Sequence, residues 1–241
     1  MARKLREIVE TKISLEYHDA LNPAIWDGGR MRPDVRAKLL GFANAFAEFA
    51  KIPESVIQDV LFTGGNANFN YTKFSDLDVH VLIDRGALST DRALVDAYLA
   101  DKKALWTLKH PNLKIAGYGV EPYAQDLTEK PKVGQGVYSL LDDEWVQRPS
   151  NVGANFALDT GLKKRVMSMI HAVDAVVKND AGLDAMKTLK DKLAAGRGES
   201  IAQDGEFAMD NLVFKELRSR GQLRRMTNYI NSKIEQRIMS S

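Results

Sequence analysis

Cysteine is missing altogether from this sequence, and with it go disulfides, thiolate metal sites and cysteine nucleophiles. A reducing compartment is thereby permitted. Long hydrophobic runs are missing too, since no stretch reaches the roughly 18 apolar residues of a membrane span. The opening MARKLREIVETKI sets charges among its apolar positions, unlike the unbroken apolar centre of a signal peptide. A cytoplasmic protein without membrane contact is expected. Charge of one sign is scarce as well: the formal net charge of +2 is too small to point to nucleic acid by bulk electrostatics. Internal repeats and low-complexity tracts are also lacking.

What remains is an ordinary globular composition, 27% charged and 44% hydrophobic in 241 residues, which leaves little room for long disorder. The length exceeds a typical domain of roughly 100 to 200 residues but falls short of two large ones. The reading is an α+β fold. A small mixed sheet with flanking and N-terminal helices occupies residues 1–150, and a helical region follows over 151–241.

After a short opening helix, LNPAIWDGGRMRP reads as an irregular connection, with two prolines and a Gly-Gly pair. A helix starts at Pro33 and Asp34 and ends before Pro53, with Val35, Leu39, Leu40, Ala43, Phe46 and Phe49 at helical spacing. Residues 59–63, DVLFT, read as a short buried strand halted by Gly64-Gly65. A polar bridge leads to DLDVHVLID. There Asp76, Asp78, His80, Leu82 and Asp84 share one face, and Leu77, Val79, Val81 and Ile83 share the other. Residues from Thr90 to about Lys109 read as a helix, with Ala93, Leu94, Ala97, Tyr98, Ala104, Leu105 and Leu108 on or near one apolar side. KIAGYGVEPYAQD is a second strand, with Glu121, Tyr123 and Gln125 on one side and Pro122 marking an edge or bulge. VGQGVYSLLDDEWVQRP reads as a short strand or turn running into a polar loop. Beyond Pro149 helices are expected at about 155–179, 182–195 and 206–237, with Gly196 to Gly205 as a loop.

Three features occur in order: a strand ending at Gly64-Gly65, ten intervening residues, and Asp76-x-Asp78 opening a strand with an acidic face. Carboxylates at i and i+2 of a strand project from the same side, their Cα atoms about 6.6 Å apart, so both can reach shared cations. Magnesium suits such oxygen donors, because it takes one or two protein carboxylates and completes its octahedron with water and phosphate. Glycine backbone N–H groups, with no side chain in the way, can approach phosphate oxygens closely. Glu121, on a later strand, is the candidate third carboxylate, as a base or as a metal ligand.

On these residues, TGGNANFNYTKFSDLDVHVLID resembles the signature of the nucleotidyltransferase superfamily, which includes DNA polymerase beta, tRNA-nucleotidyltransferases and aminoglycoside nucleotidyltransferases. Gly64 and Gly65 match the paired small residues of that signature, and Asp76, Leu77, Asp78 and Val79 match its Asp-hydrophobic-Asp-hydrophobic segment. Many members carry Ser where Gly65 stands. The specific resemblance covers residues 59–126. The wider layout is similar to nucleotidyltransferase-like proteins of bacteriophage genomes, which would place this chain in a host cytoplasm. The resemblance implies the nucleotidyltransferase fold and an NTP substrate. It also implies two Mg2+ (or Mn2+) ions and a third carboxylate on a following strand, assigned to Glu121 with Asp126 as the alternative.

Around this core, Lys73 and Ser75 are candidate phosphate contacts, and His80 is a further candidate on the acidic face. The cations Lys215, Arg218, Arg220, Arg224, Arg225, Lys233 and Arg237 make the last helical stretch locally basic. That stretch is either a solvated helix face or a nucleic-acid contact. Two functions of different class follow. One is transfer of a nucleoside monophosphate from an NTP to a hydroxyl on protein, RNA or a small molecule. The other is a catalytically inactive nucleotide-binding or interaction module of the same fold, which tolerates loss of the third carboxylate.

Overall fold

The computed structural model describes residues 12–150, 159–205 and 207–240. Contacts divide these residues into two units, one of residues 17–150 and one formed by residues 12–16 together with the described residues from 159 onward. The expected opening helix and the start of the helix expected at 155 lie outside the described residues.

The first unit is built on a mixed sheet. Its strands are β3 (Ile57–Thr63), β4 (Leu77–Ile83), β5 (Lys114–Ile115), β6 (Tyr118–Asp126), β7 (Val137–Ser139) and β8 (Glu144–Gln147), in spatial order β5-β6-β4-β3-β7-β8. β4 and β6 run parallel while the other neighbours are antiparallel. A parallel pair needs a long crossover, and here α3 (Arg92–Lys109), preceded by the short α2 (Arg85–Leu88), supplies it. α1 (Pro33–Phe49) precedes β3, and its first turn holds Pro33 and Asp34, as N-terminal helix chemistry favours.

Strict alternation in β4 buries Leu77, Val79, Val81 and Ile83 against α1 and leaves Asp78, His80 and Leu82 partly accessible on the other face. Val60 and Phe62 of β3 join the same core, together with Val35, Leu39, Phe42 and Phe46 of α1. The Trp106 indole meets the Phe42, Phe46 and Phe49 rings edge to face, at centroid distances of 5.4 to 5.7 Å.

The inward face of α3 differs from the expected one. Val95, Leu99 and Trp106 are buried, whereas Ala93, Leu94, Ala97, Tyr98, Ala104, Leu105 and Leu108 are all exposed, Leu108 by 75%. The helix carries apolar residues on two sides, and the side holding the indole wins because an aromatic ring buries the most surface.

Two further elements depart from the reading. LNPAIWDGGRMRP contains a small hairpin, β1 (Trp26–Asp27) with β2 (Arg30–Met31), closed through Gly28 and Gly29 at positive φ. The stretch expected to be a polar loop after Leu141 contains β8, which pairs with β7 through Tyr138↔Trp145. The outer edge of β6 is blunted in three ways. Pro122 offers no donor, an Arg85 guanidinium N–H donates to Ala124 O, and Glu129 accepts the Asp126 N–H.

The second unit contains α4 (Thr160–Lys178), α5 (Leu183–Asp204), α6 (Met209–Ser219) and α7 (Gln222–Met239), with Val173, Met186, Met226 and Ile230 in one core cluster. The loop expected from Gly196 to Gly205 is helical up to Asp204. Buried Leu193 and Ile201 hold its face, the Arg197 guanidinium lies over Phe214 and bonds Asn211, and Gly205 ends it at φ 78°. The single helix expected over 206–237 is instead two, broken at Gly221, whose φ of 71° is left-handed. Ser14 belongs to this unit. Its N–H and hydroxyl donate to the fully buried Glu216 carboxylate, which Arg220 also contacts.

Candidate functional site

β3 delivers the chain to Gly64, whose φ of 80° and ψ of −163° lie where only glycine is comfortable. A side chain there is excluded twice over. A Cβ on Gly64 would lie 1.8 Å from Asp78 Oδ2 and 2.8 Å from its Cγ. The Asp78 carboxylate therefore occupies the space that the missing side chain leaves. Gly65 opens a 3-10 turn over Gly65–Ala67, and a Cβ on it would lie 2.9 Å from Ser75 Oγ.

Three asparagines line the bridge between the glycines and the carboxylates. Asn66, fully buried, donates from Nδ2 to Asp76 O at 3.1 Å and accepts from Asn22 Nδ2 at 2.8 Å. Its carbonyl oxygen accepts the Trp26 indole N–H. Asn68 donates to Gly64 O and accepts from Gly136 N. Both fix the backbone of the loop. Asn70 is also buried, yet among the described residues neither its Oδ1 nor its Nδ2 finds a partner.

The register brings the predicted carboxylates onto neighbouring strands. Asp78 is paired with Thr63 on β3 and with Glu121 on β6, so these three share one sheet face. Asp76 enters β4 beside β6, its Oδ1 3.4 Å from where a Gly119 Cβ would stand. Glu121 leans toward the helix side, with Oε2 3.6 Å from Lys103 Nζ. Among the described residues no three His, Asp or Glu side chains converge at metal-binding spacing. Asp126 pairs with Ile83 at the far end of the strands and is buried on the opposite parity. It is a structural group. Thr128, Arg85 and Arg92 bond or pair with it, and the Thr128 hydroxyl in particular holds its carboxyl below the usual range. The alternative third-ligand assignment to Asp126 is thus displaced by its position.

No protein-family model, curated protein or solved structure matches this chain.

The secondary candidates separate. Ser75 Oγ accepts the Thr72 N–H, closing a turn beneath Gly65. Lys73 is exposed, its ammonium 5.1 Å from the centroid of the exposed Phe74 ring. His80 bonds Gln125 Oε1 through Nδ1 at 2.8 Å and meets Tyr123 edge to face. Burial pushes its pKa down to about 4, so the imidazole is neutral at pH 7.

Two cavities flank the carboxylates, and neither was visible in the sequence. One, of about 220 Å³, lies under residues 129–135 and is lined by Thr63, His80, Gln125, Lys130 and Lys132. The other, of about 520 Å³, lies between α3 and β6 and is bordered by Glu121, Lys103, Arg85 and Tyr123 over an apolar floor that includes Leu99 and Ala124. In the second unit, three of the cations counted toward a basic stretch are committed to carboxylates. Arg220 pairs with Glu216, Arg225 with Asp174 and Lys233 with Asp180.

Proposed function

We propose that this chain is a Mg2+-dependent nucleotidyltransferase that moves a nucleoside monophosphate from an NTP to a hydroxyl acceptor, with pyrophosphate as the leaving group. One observation carries the reading. The Asp78 carboxylate sits in the Cβ space of Gly64, so the phosphate-binding type of turn and the acidic strand form a single structure. A solvated strand face would have no need of that interlock.

Asp76 lies immediately before β4 and Asp78 within it, and Glu121 is the register partner of Asp78. Two carboxylates of this kind suit a hard divalent cation, and Glu121 would join them on turning away from Lys103. Asp76, Asp78 and Glu121 are the residues that would hold two Mg2+ (or Mn2+) ions, which would supply charge neutralisation at the reacting phosphate. The protein's own part is positional. Backbone N–H groups at Gly64 and Gly65 face the phosphates, and the smaller cavity, with Lys130 and Lys132 at its rim, takes sugar and base. We assign the larger cavity beside Glu121 to the acceptor, where the Glu121 carboxylate would accept the proton of the attacking hydroxyl.

The ion pair between Lys103 and Glu121 favours a second reading, a nucleotide-binding module in which the third carboxylate is diverted. Incubation with each α-labelled NTP, Mg2+ and a lysate as acceptor source separates the two. Label transfer that is lost in Asp76→Asn/Asp78→Asn supports the transferase. Nucleotide binding without transfer from any NTP supports the binding module, and transfer that survives the double substitution sinks the assignment.

A further inference from the structure

Two of the chain's three tryptophans stand together in one wall. The Trp26 and Trp145 rings stack with centroids 4.6 Å apart and planes 17° from parallel, and Tyr138 meets both edge-on at 5.1 Å. Register puts Trp145 and Tyr138 on the parity of Phe62, so this wall belongs to the sheet face opposite Asp78. Beside it opens a cavity of about 520 Å³, also lined by Phe69 and Pro23. That size lies within the range of small-molecule sites, about 300 to 1,000 Å³.

The wall is held rigid. The Trp145 indole N–H donates to Gly29 O at 2.6 Å, and that of Trp26 to Asn66 O at 2.7 Å. An aromatic surface fixed in this way loses little conformational entropy when a planar group stacks on it. The lining also includes two charges of opposite sign, Asp27 and Arg148, both exposed and neither in an ion pair or side-chain hydrogen bond among the described residues. A flat apolar ring that bears N–H donors and carries an anionic group matches such a lining.

We propose that this cavity is a binding site for a purine nucleoside monophosphate, separate from the carboxylate face. The base lies against the aromatic wall, Asp27 accepts a base N–H, and Arg148 binds the phosphate. The proposal does not rest on nucleotidyl transfer.

Tryptophan emission of the full-length protein reports directly on the site, because Trp26 and Trp145 both line it. Titration with adenosine 5′-monophosphate should quench emission saturably, and adenosine should require about tenfold higher concentration. Arg148→Gln, a surface change that does not threaten folding, should weaken the monophosphate about tenfold and leave adenosine unaffected. Quenching should persist in Asp76→Asn/Asp78→Asn, which places the ligand away from those carboxylates. The proposal is overturned if emission is unchanged through the millimolar range, or if Arg148→Gln binds the monophosphate as tightly as the parent protein. Quenching that vanishes in the double Asp variant, or that only a proline-rich peptide produces, overturns it equally.

Discussion

Replacement of Gly64 by alanine tests the interlock on which the proposed active site rests. The backbone there has φ 80° and ψ −163°, a region that costs an L-residue about 1–3 kcal/mol. The new methyl would also stand 1.8 Å from Asp78 Oδ2, far inside van der Waals contact, so the carboxylate must move. Relieving such an overlap costs about 1–3 kcal/mol more, for a total destabilisation of about 2–6 kcal/mol. Gly117 is the control, since its φ is 88° but nothing lies within 4 Å of a Cβ there. Gly117→Ala should therefore pay backbone strain alone, about 1–3 kcal/mol, and keep nucleotide transfer. Urea denaturation gives the stability of both variants, and α-labelled NTP transfer gives their function. Because displacement of a reacting group by about 1 Å can cost about a hundredfold in rate, Gly64→Ala should lose at least that much while still folded. A Gly64→Ala protein no less stable than Gly117→Ala, with transfer intact, would refute the argument that the glycine and the carboxylate share one space.

Two other predictions concern stability. Burial depresses the His80 pKa from 6.5 to about 4, so between those values the unfolded chain binds more protons than the folded one. Stability from this group is complete above about pH 6.5 and is lost as pH falls toward 4, by up to about 3 kcal/mol. Urea midpoints measured across that window should fall less steeply for His80→Gln than for the parent, and parallel curves would count against a buried neutral imidazole. The second prediction tests the two sides of α3. Leu99→Ala should cost about 2–5 kcal/mol, whereas Leu108→Ala, at 75% exposure, should stay within about 0.5 kcal/mol. Equal losses in thermal unfolding would reverse the assignment of the buried face.

What the sequence made legible was whatever a single period or a single turn residue encodes. β4 could be read residue by residue because one of its faces is buried and the other is not, and a one-residue slip would exchange them. The same logic gave α1 from its helical period. α3 was misread because its alanines and leucines make two apolar sides, and only tertiary packing against Phe42, Phe46 and Phe49 selects Trp106 as the inward one. The helix through Gly196 and Gly198 was hidden for the opposite reason. Two glycines weaken it locally, and distant partners such as Phe214 and Asn211 restore it. Within the site, Lys130, Lys132 and Lys103 gave no signal. Each is an ordinary surface lysine until folding carries it to a cavity beside β4 or β6.

The relation of Glu121 to Lys103 bears most on the choice between an enzyme and a binding module, and its magnitude is too small to hold Glu121 away from a cation at Asp76 and Asp78. Both side chains are substantially exposed, 42% and 39%, and their charged atoms are 3.6 Å apart. An ion pair of that kind contributes about 0–1 kcal/mol, because water screens it and two flexible chains must be ordered to hold it. Register, by contrast, fixes the Glu121 backbone opposite Asp78 whatever its side chain is doing. Rotating the carboxylate from the ammonium toward the Asp76–Asp78 face therefore gives up little, and a divalent cation held by two aspartates would attract it far more strongly than one screened lysine does. Lys103, left facing the larger cavity with Arg85, would then present a positive charge to whatever acceptor enters beside Glu121.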